Sequence, residues 1–183
     1  MAAVIRPARP PDANGIADVH VASWRTTYPG MIPGDYLVSL SARAWRERWR
    51  RVLSDPRAAA GTYVAVDAPF GVIGFGSCGR QRSGLAGFGG EFFALYLYDH
   101  SQGRGVGRRL MAAMAEDLIG RGITSAVVWV LAGNPSRWFY ERLGGTRLAE
   151  KPTEFAGAPV VEIAYGWRDL APLARLSADP SVR

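Results

Sequence analysis

The chain has 183 residues, 48% of them apolar and 21% charged, which fits one soluble globular domain with a sizeable core. Its single cysteine, Cys78, excludes an internal disulfide and a cysteine-based metal cluster, and the formal net charge of +6 reads chiefly as arginines on a solvated helix face between residues 43 and 57, with a polyanionic cofactor accounting for some of the excess. No apolar run is long enough for a membrane helix, and residues 1–7 lack the apolar stretch of a secretory signal, so a cytoplasmic protein is expected.

Residues 3–6 predict a short first strand. Pro10-Pro11-Asp12 opens a helix with Asp12 as N-cap, and Ile16, Val19, His20 and Ser23-Trp24 supply its apolar stripe. Residues 28–34, with two prolines and two glycines, break it. A short helix over 35–40 precedes a longer one over 41–53, with Trp45, Trp49, Val52 and Leu53 on one side; Asp55-Pro56 ends it. Residues 62–67 and 70–79 read as a strand pair, followed by a glycine-rich turn over 84–90. A central strand over 91–98 leads to a central helix over 103–120, whose Leu110, Met111, Met114 and Leu118 face the sheet. Residues 125–131 are β-branched and apolar, as in a buried parallel strand. Asn134 caps the next helix, Pro135 fits its first position and Gly144-Gly145 ends it. Residues 146–150 and 160–166 form the last strands, a hairpin turning through 154–157. One domain is expected over 1–169, with 170–183 as a C-terminal tail. The order predicts a mixed α/β layer with helices on both faces.

The turn Gln102-Gly103-Arg104-Gly105-Val106-Gly107-Arg108-Arg109 is the most informative segment. A glycine-rich turn between a strand and a helix leaves backbone N–H groups without partners at the positive end of the helix dipole, ready for phosphate oxygens. A nucleotide-triphosphatase loop would carry Lys-Ser or Lys-Thr after its last glycine, where Arg108-Arg109 stand. The G-x-G-x-G spacing is not a dinucleotide fingerprint either. The formal G-x-G-x-x-G at Gly74, Gly76 and Gly79 runs into Arg80-Gln81-Arg82, not into an apolar helix, and reads as a glycine-rich strand.

The remaining pattern, Q-x-x-G-x-G between strand and helix, resembles the central motif of the GCN5-related N-acetyltransferase family. A second family motif follows in order: the strand Val127-Val128-Trp129-Val130-Leu131, then Asn134-Pro135, then Phe139-Tyr140-Glu141-Arg142-Leu143-Gly144-Gly145. The resemblance covers residues 4–166. It implies a sheet splayed between its fourth and fifth strands and acetyl-coenzyme A as co-substrate. It assigns the pyrophosphate to Gln102, Gly103, Arg104, Gly105, Val106, Gly107 and Arg108. The pantetheine arm would pair like an added strand with Leu95, Tyr96 and Leu97, and Leu97 would also supply an oxyanion-binding N–H. Asn134 is expected to touch the arm as well as cap its helix. Tyr140 is the implied proton donor to the departing thiolate and a cofactor contact.

Glu91 matches the strand position where some family members carry a general base; it lies four residues before Leu95, so alternation puts both on one face. Its competing reading is a solvated charge at a strand start. Trp24 and Tyr28, in a Trp-x-x-x-Tyr-Pro-Gly segment like that of a subset of the family, are expected to line the acceptor cleft. The two histidines, His20 and His100, are far apart in the chain and suggest no metal site. The expected activity is acetyl transfer to a primary amine by direct attack in a ternary complex, since no activated Cys or Ser motif is present. The basic net charge disfavours a strongly cationic acceptor unless the pocket carries a different local charge. The acceptor is a small molecule, peptide or protein, and the family pattern allows a homodimer. The alternatives are a non-catalytic acyl-coenzyme A sensor and a basic nucleic-acid-binding protein, the latter without any recognised nucleic-acid motif.

Overall fold

A computed structural model describes residues 3–177, so the last part of the expected tail, 178–183, lies outside the described residues. The chain opens with strand β1 (Val4–Pro7) and helix α1 (Ala13–Thr27), then α2 (Gly34–Ser39), α3 (Ala42–Ser54) and the single turn α4 (Pro56–Ala59). Strands β2 (Thr62–Asp67), β3 (Gly71–Arg80) and β4 (Gly90–Leu97) follow, then α5 (Val106–Gly120), β5 (Ala126–Leu131) and α6 (Arg137–Arg142). The hairpin β6 (Thr146–Phe155) and β7 (Ala158–Trp167) and the short α7 (Ala171–Ala174) complete it.

All seven strands join one sheet in the order β1-β2-β3-β4-β5-β7-β6. Every neighbouring pair is antiparallel except β4 and β5, which the α5 crossover makes parallel. That parallel pair is short: Gly90, Glu91 and Phe92 match Ala126, Val127 and Val128, and then the strands diverge. This is the expected splay between the fourth and fifth strands.

Apolar periodicity sets the two layers. Ile16 and Val19 of α1 and Trp49 and Leu53 of α3 pack with Val64 and Phe75 on one face of the sheet. On the other face, Met111, Met114 and Leu118 of α5 meet Phe92, Val128 and Trp167. Helix α3 starts where Ser41 accepts the Ala44 N–H at 3.2 Å, an ordinary N-cap.

Three expectations change. Asp12 does not cap α1: it accepts both Arg6 guanidinium N–H groups, at 2.7 and 2.8 Å, and the Arg9 N–H at 2.7 Å, because a charged fork outcompetes the helix end for the same oxygens. The last two strands are longer than their apolar alternation suggests; each has ten residues, joined by the two-residue turn Ala156-Gly157 with both φ positive. The segment expected as a tail begins with core residues: Leu170 and Leu173 are 0% and 1% exposed, in the cluster that includes α5.

Candidate active site

The divergence of β4 and β5 opens a cleft of about 680 Å³. Its walls come from α1, the free halves of β4 and β5, the turn before α5, the start of α6, and the β6–β7 hairpin.

The turn before α5 behaves as its glycines dictate. Gly103 and Gly105 hold φ of +70° and +73°, and Gly105 is the N-cap, in a left-handed conformation with no side chain to offer. The first intrahelical bond is Arg109 N–H to Gly105 O at 3.1 Å, so the N–H groups of Val106 and Gly107 precede the helix's hydrogen-bond ladder. Gln102, Gly103, Gly105, Gly107 and Arg108 line the cleft. Arg104 and Val106 do not; Val106 points into the core beside Leu110, and Arg104 borders a separate small recess with Asp67 and Arg109.

Strand β4 divides its backbone between two sides. Tyr98 N–H donates to Ile73 O at 3.1 Å, so by ladder alternation Leu97 and Leu95 aim their N–H and C=O groups away from β3, toward the gap. The Leu97 carbonyl is already taken by the Ser23 hydroxyl of α1 at 2.9 Å. Tyr96, by the same alternation, spends its backbone on β3 and reaches the cleft with its side chain instead.

Three phenols gather there. The Tyr28 and Tyr96 hydroxyls lie 3.1 Å apart, and Asn134 lines the same cleft. Burial raises the pKa of Tyr140 and of Tyr96, and in each case the neighbouring Tyr28 pushes it further up. Tyr28 itself is raised by burial, against its hydrogen bond to Tyr96. All three therefore keep their protons throughout the physiological range. Asn134 Oδ1 accepts the Ser136 N–H at 2.9 Å, stabilising the turn before α6; the helix proper starts at Arg137, later than the sequence suggests. Trp24 packs edge-on against Tyr28, ring centres 5.1 Å apart, and both line the cleft.

Glu91 stays apart from these groups. Cys78 pairs with Phe92 but Ser77 pairs with Ala94, so β4 carries a bulge at Phe93. The extra residue breaks the count of four that would put Glu91 and Leu95 on one face: Leu95 turns toward α5, with Phe92, while Glu91 turns the other way. Its buried carboxylate accepts the Arg82 N–H at 2.9 Å and the Arg82 guanidinium at 3.4 Å, and it does not line the cleft. Ser23, Phe155 and Glu162 do line it and escaped the sequence reading. Ser23 could have been reached from the α1 stripe. Nothing in the local pattern connects Glu162, on a late strand, with cleft residues as distant in the chain as Ser23 and Tyr28.

A family profile described as FR47-like protein matches residues 83–154. Among curated proteins, the chain is 42% identical over 172 residues to the uncharacterized N-acetyltransferase YuaI of Bacillus subtilis (strain 168), covering 94% of this chain and 96% of that one. Among solved structures it is similar to the PaiA N-acetyltransferase of Thermoplasma acidophilum in complex with coenzyme A, with 19% identity, a TM-score of 0.66, and 89% and 98% of the two chains covered. It is also similar to YncA of Salmonella typhimurium with acetyl-CoA, with 19% identity, a TM-score of 0.67 and coverage of 93% and 95%. The splayed sheet, the glycine turn that opens α5 and the long match to YuaI agree: the chain belongs to the GCN5-related N-acetyltransferase family.

Proposed function

We propose that this protein transfers an acetyl group from acetyl-coenzyme A to a primary amine, by direct attack while both substrates are bound. The observation that carries the reading is the continuity of the cleft from the open N–H groups of the glycine turn to the buried Tyr140 phenol. The described residues fit coenzyme A. The turn offers N–H donors and Arg108 to a diphosphate. The outward backbone of Leu95 and Leu97 matches the peptide-like pantetheine arm. Acetyl-coenzyme A would supply the activated acyl thioester.

The roles of this chain's groups follow from their chemistry. Tyr140, held protonated by burial, donates a proton at the position where a thiolate leaves. The Leu97 N–H, with its carbonyl fixed by Ser23, is a rigid donor for developing negative charge on the acyl oxygen. Tyr96 holds Tyr28 in place beside them. Trp24 and Tyr28 form one side of the acceptor space. Cys78 offers no covalent route: its thiol is buried and pushed up to about 12 by burial and by Asp117. Glu91 remains a candidate base only through a relay of water, since Arg82 holds its carboxylate.

Thiol release across a panel of amines tests the activity, and calorimetry with coenzyme A tests the binding. Tyr140→Phe should lower kcat more than tenfold and leave coenzyme A affinity within about twofold. Because burial raises this phenol, wild-type kcat should show no alkaline decline from its ionisation up to pH 10 or beyond. An unchanged kcat in Tyr140→Phe would remove the donor role.

A further inference from the structure

We propose that the Glu162 carboxylate and the ring face of Trp129 form a docking subsite for an ammonium of the acceptor, one that is not itself acetylated. The inference rests on the acetyltransferase reading and narrows it to acceptors with two basic nitrogens.

The subsite already holds an ammonium. Lys151 Nζ stands 3.4 Å from the Glu162 carboxylate and 4.1 Å from the centre of the Trp129 ring. A carboxylate beside an aromatic face is the standard chemistry for binding a primary or substituted ammonium. The sheet builds the arrangement by register: Lys151 and Leu131 both sit opposite Glu162, and Trp129, two residues from Leu131, shares that face. Glu162 and Trp129 line the cleft; Lys151, on the edge strand β6, reaches them from outside.

Two facts separate this pair from an ordinary surface contact. Among the described residues lining the cleft, Glu162 is the one carboxylate, whereas Arg108 and Arg142 supply its guanidiniums. The cleft is therefore polarised, positive for a polyphosphate and negative at one point of the acceptor wall. Lys151 is the only lysine in the sequence; every other one of its 22 basic side chains is an arginine. A compact ammonium on a flexible stem is used at the one place where it stands in for a small amine and can swing away. The Lys151 and Glu162 side chains are 46% and 28% exposed, so their ion pair is weak and easily exchanged.

The same chemistry says which nitrogen docks. A carboxylate and a ring face both stabilise the charged form of an amine. The attacking nitrogen must lose its proton, since free alkylamines are mostly protonated at neutral pH. The subsite suits the nitrogen that stays charged, leaving the second amine free to reach the acyl group. A net charge of +6 would otherwise repel such a molecule, and Glu162 is the local exception.

The test compares α,ω-diamines of three to six carbons with n-alkylamines of the same length, using the full chain and acetyl-coenzyme A. At the best length, wild-type kcat/KM for the diamine should exceed that for the monoamine at least tenfold. Glu162→Gln should bring that ratio close to one, and Lys151→Met should raise diamine kcat/KM severalfold through a lower KM. Calorimetry of the diamine with coenzyme A present reads the subsite without turnover, and Glu162→Gln should weaken that binding at least tenfold. Coenzyme A affinity of each variant reports that it is folded. Monoamine transfer with no diamine preference, an unchanged ratio in Glu162→Gln, or a lower diamine efficiency in Lys151→Met would overturn the subsite and leave the acetyltransferase reading intact. Diamine binding that depends on Glu162, with no transfer to any amine, would do the reverse.

Discussion

His20 is buried on α1 with its ring stacked on Trp45 at 3.8 Å and surrounded by Trp24, Phe75 and Tyr96. Neither ring nitrogen has a hydrogen-bond partner. Burial, with help from the nearby Arg48 charge, lowers its pKa from 6.5 to about 3. The unfolded chain therefore binds this proton more readily than the folded one across that interval. The stability linked to His20 is fully present above pH 6.5 and is lost progressively as the pH falls toward 3. His20→Phe should flatten that acid limb of a urea-midpoint profile; an unchanged slope would mean that other groups dominate it. The helical stripe identified His20 as inward-facing beside Trp24, but the other rings around it come from α3, β3 and β4, which no local spacing can specify. The sequence places Tyr140 through the order of the two motifs and Tyr28 through the Trp-x-x-x-Tyr-Pro-Gly segment, and both line the cleft. The expected shared face of Glu91 and Leu95 fails because a bulge of one residue at Phe93 inverts the strand's faces, and nothing in Glu91-Phe92-Phe93-Ala94 announces a bulge.

At the scale of elements, most strands and helices follow from apolar periodicity and punctuation by Gly and Pro. The hairpin is the exception. Its outer strand β6 is largely exposed, with Glu150, Lys151, Pro152 and Glu154 along an edge, so the signal of alternating burial fades while hydrogen bonding to β7 continues. Charged side chains and a proline on such an edge also discourage pairing with another strand. The two-residue turn requires positive φ at both positions, and Ala156, at +48°, is a residue poorly suited to it. Ala156→Gly should stabilise the protein by about 1 kcal/mol, read as a higher urea midpoint with unchanged slope. A lower midpoint would show that the alanine methyl makes a compensating contact.

For the whole molecule, the two faces of the sheet are not closed until residue 173. Leu170 and Leu173 lie in the same cluster as Met111, Met114 and Leu118, so the domain's core extends past the expected boundary at 169. Leu173→Ala should cost about 2–5 kcal/mol, as for other fully buried leucines, and ending the chain at residue 169 should cost more. A melting temperature unaffected by either change would return this segment to the status of an appendage. The sheet itself is two blocks, β1–β4 and β5–β7, stitched along their shared seam at only Gly90, Glu91 and Phe92. Past that point, Leu95 and Leu97 present main-chain groups to a gap. A peptide-like guest laid there would act as a rivet between two plates, so heat resistance should climb with its concentration by ordinary mass action. A guest that bridges both blocks would make its occupancy readable in a simple melting curve.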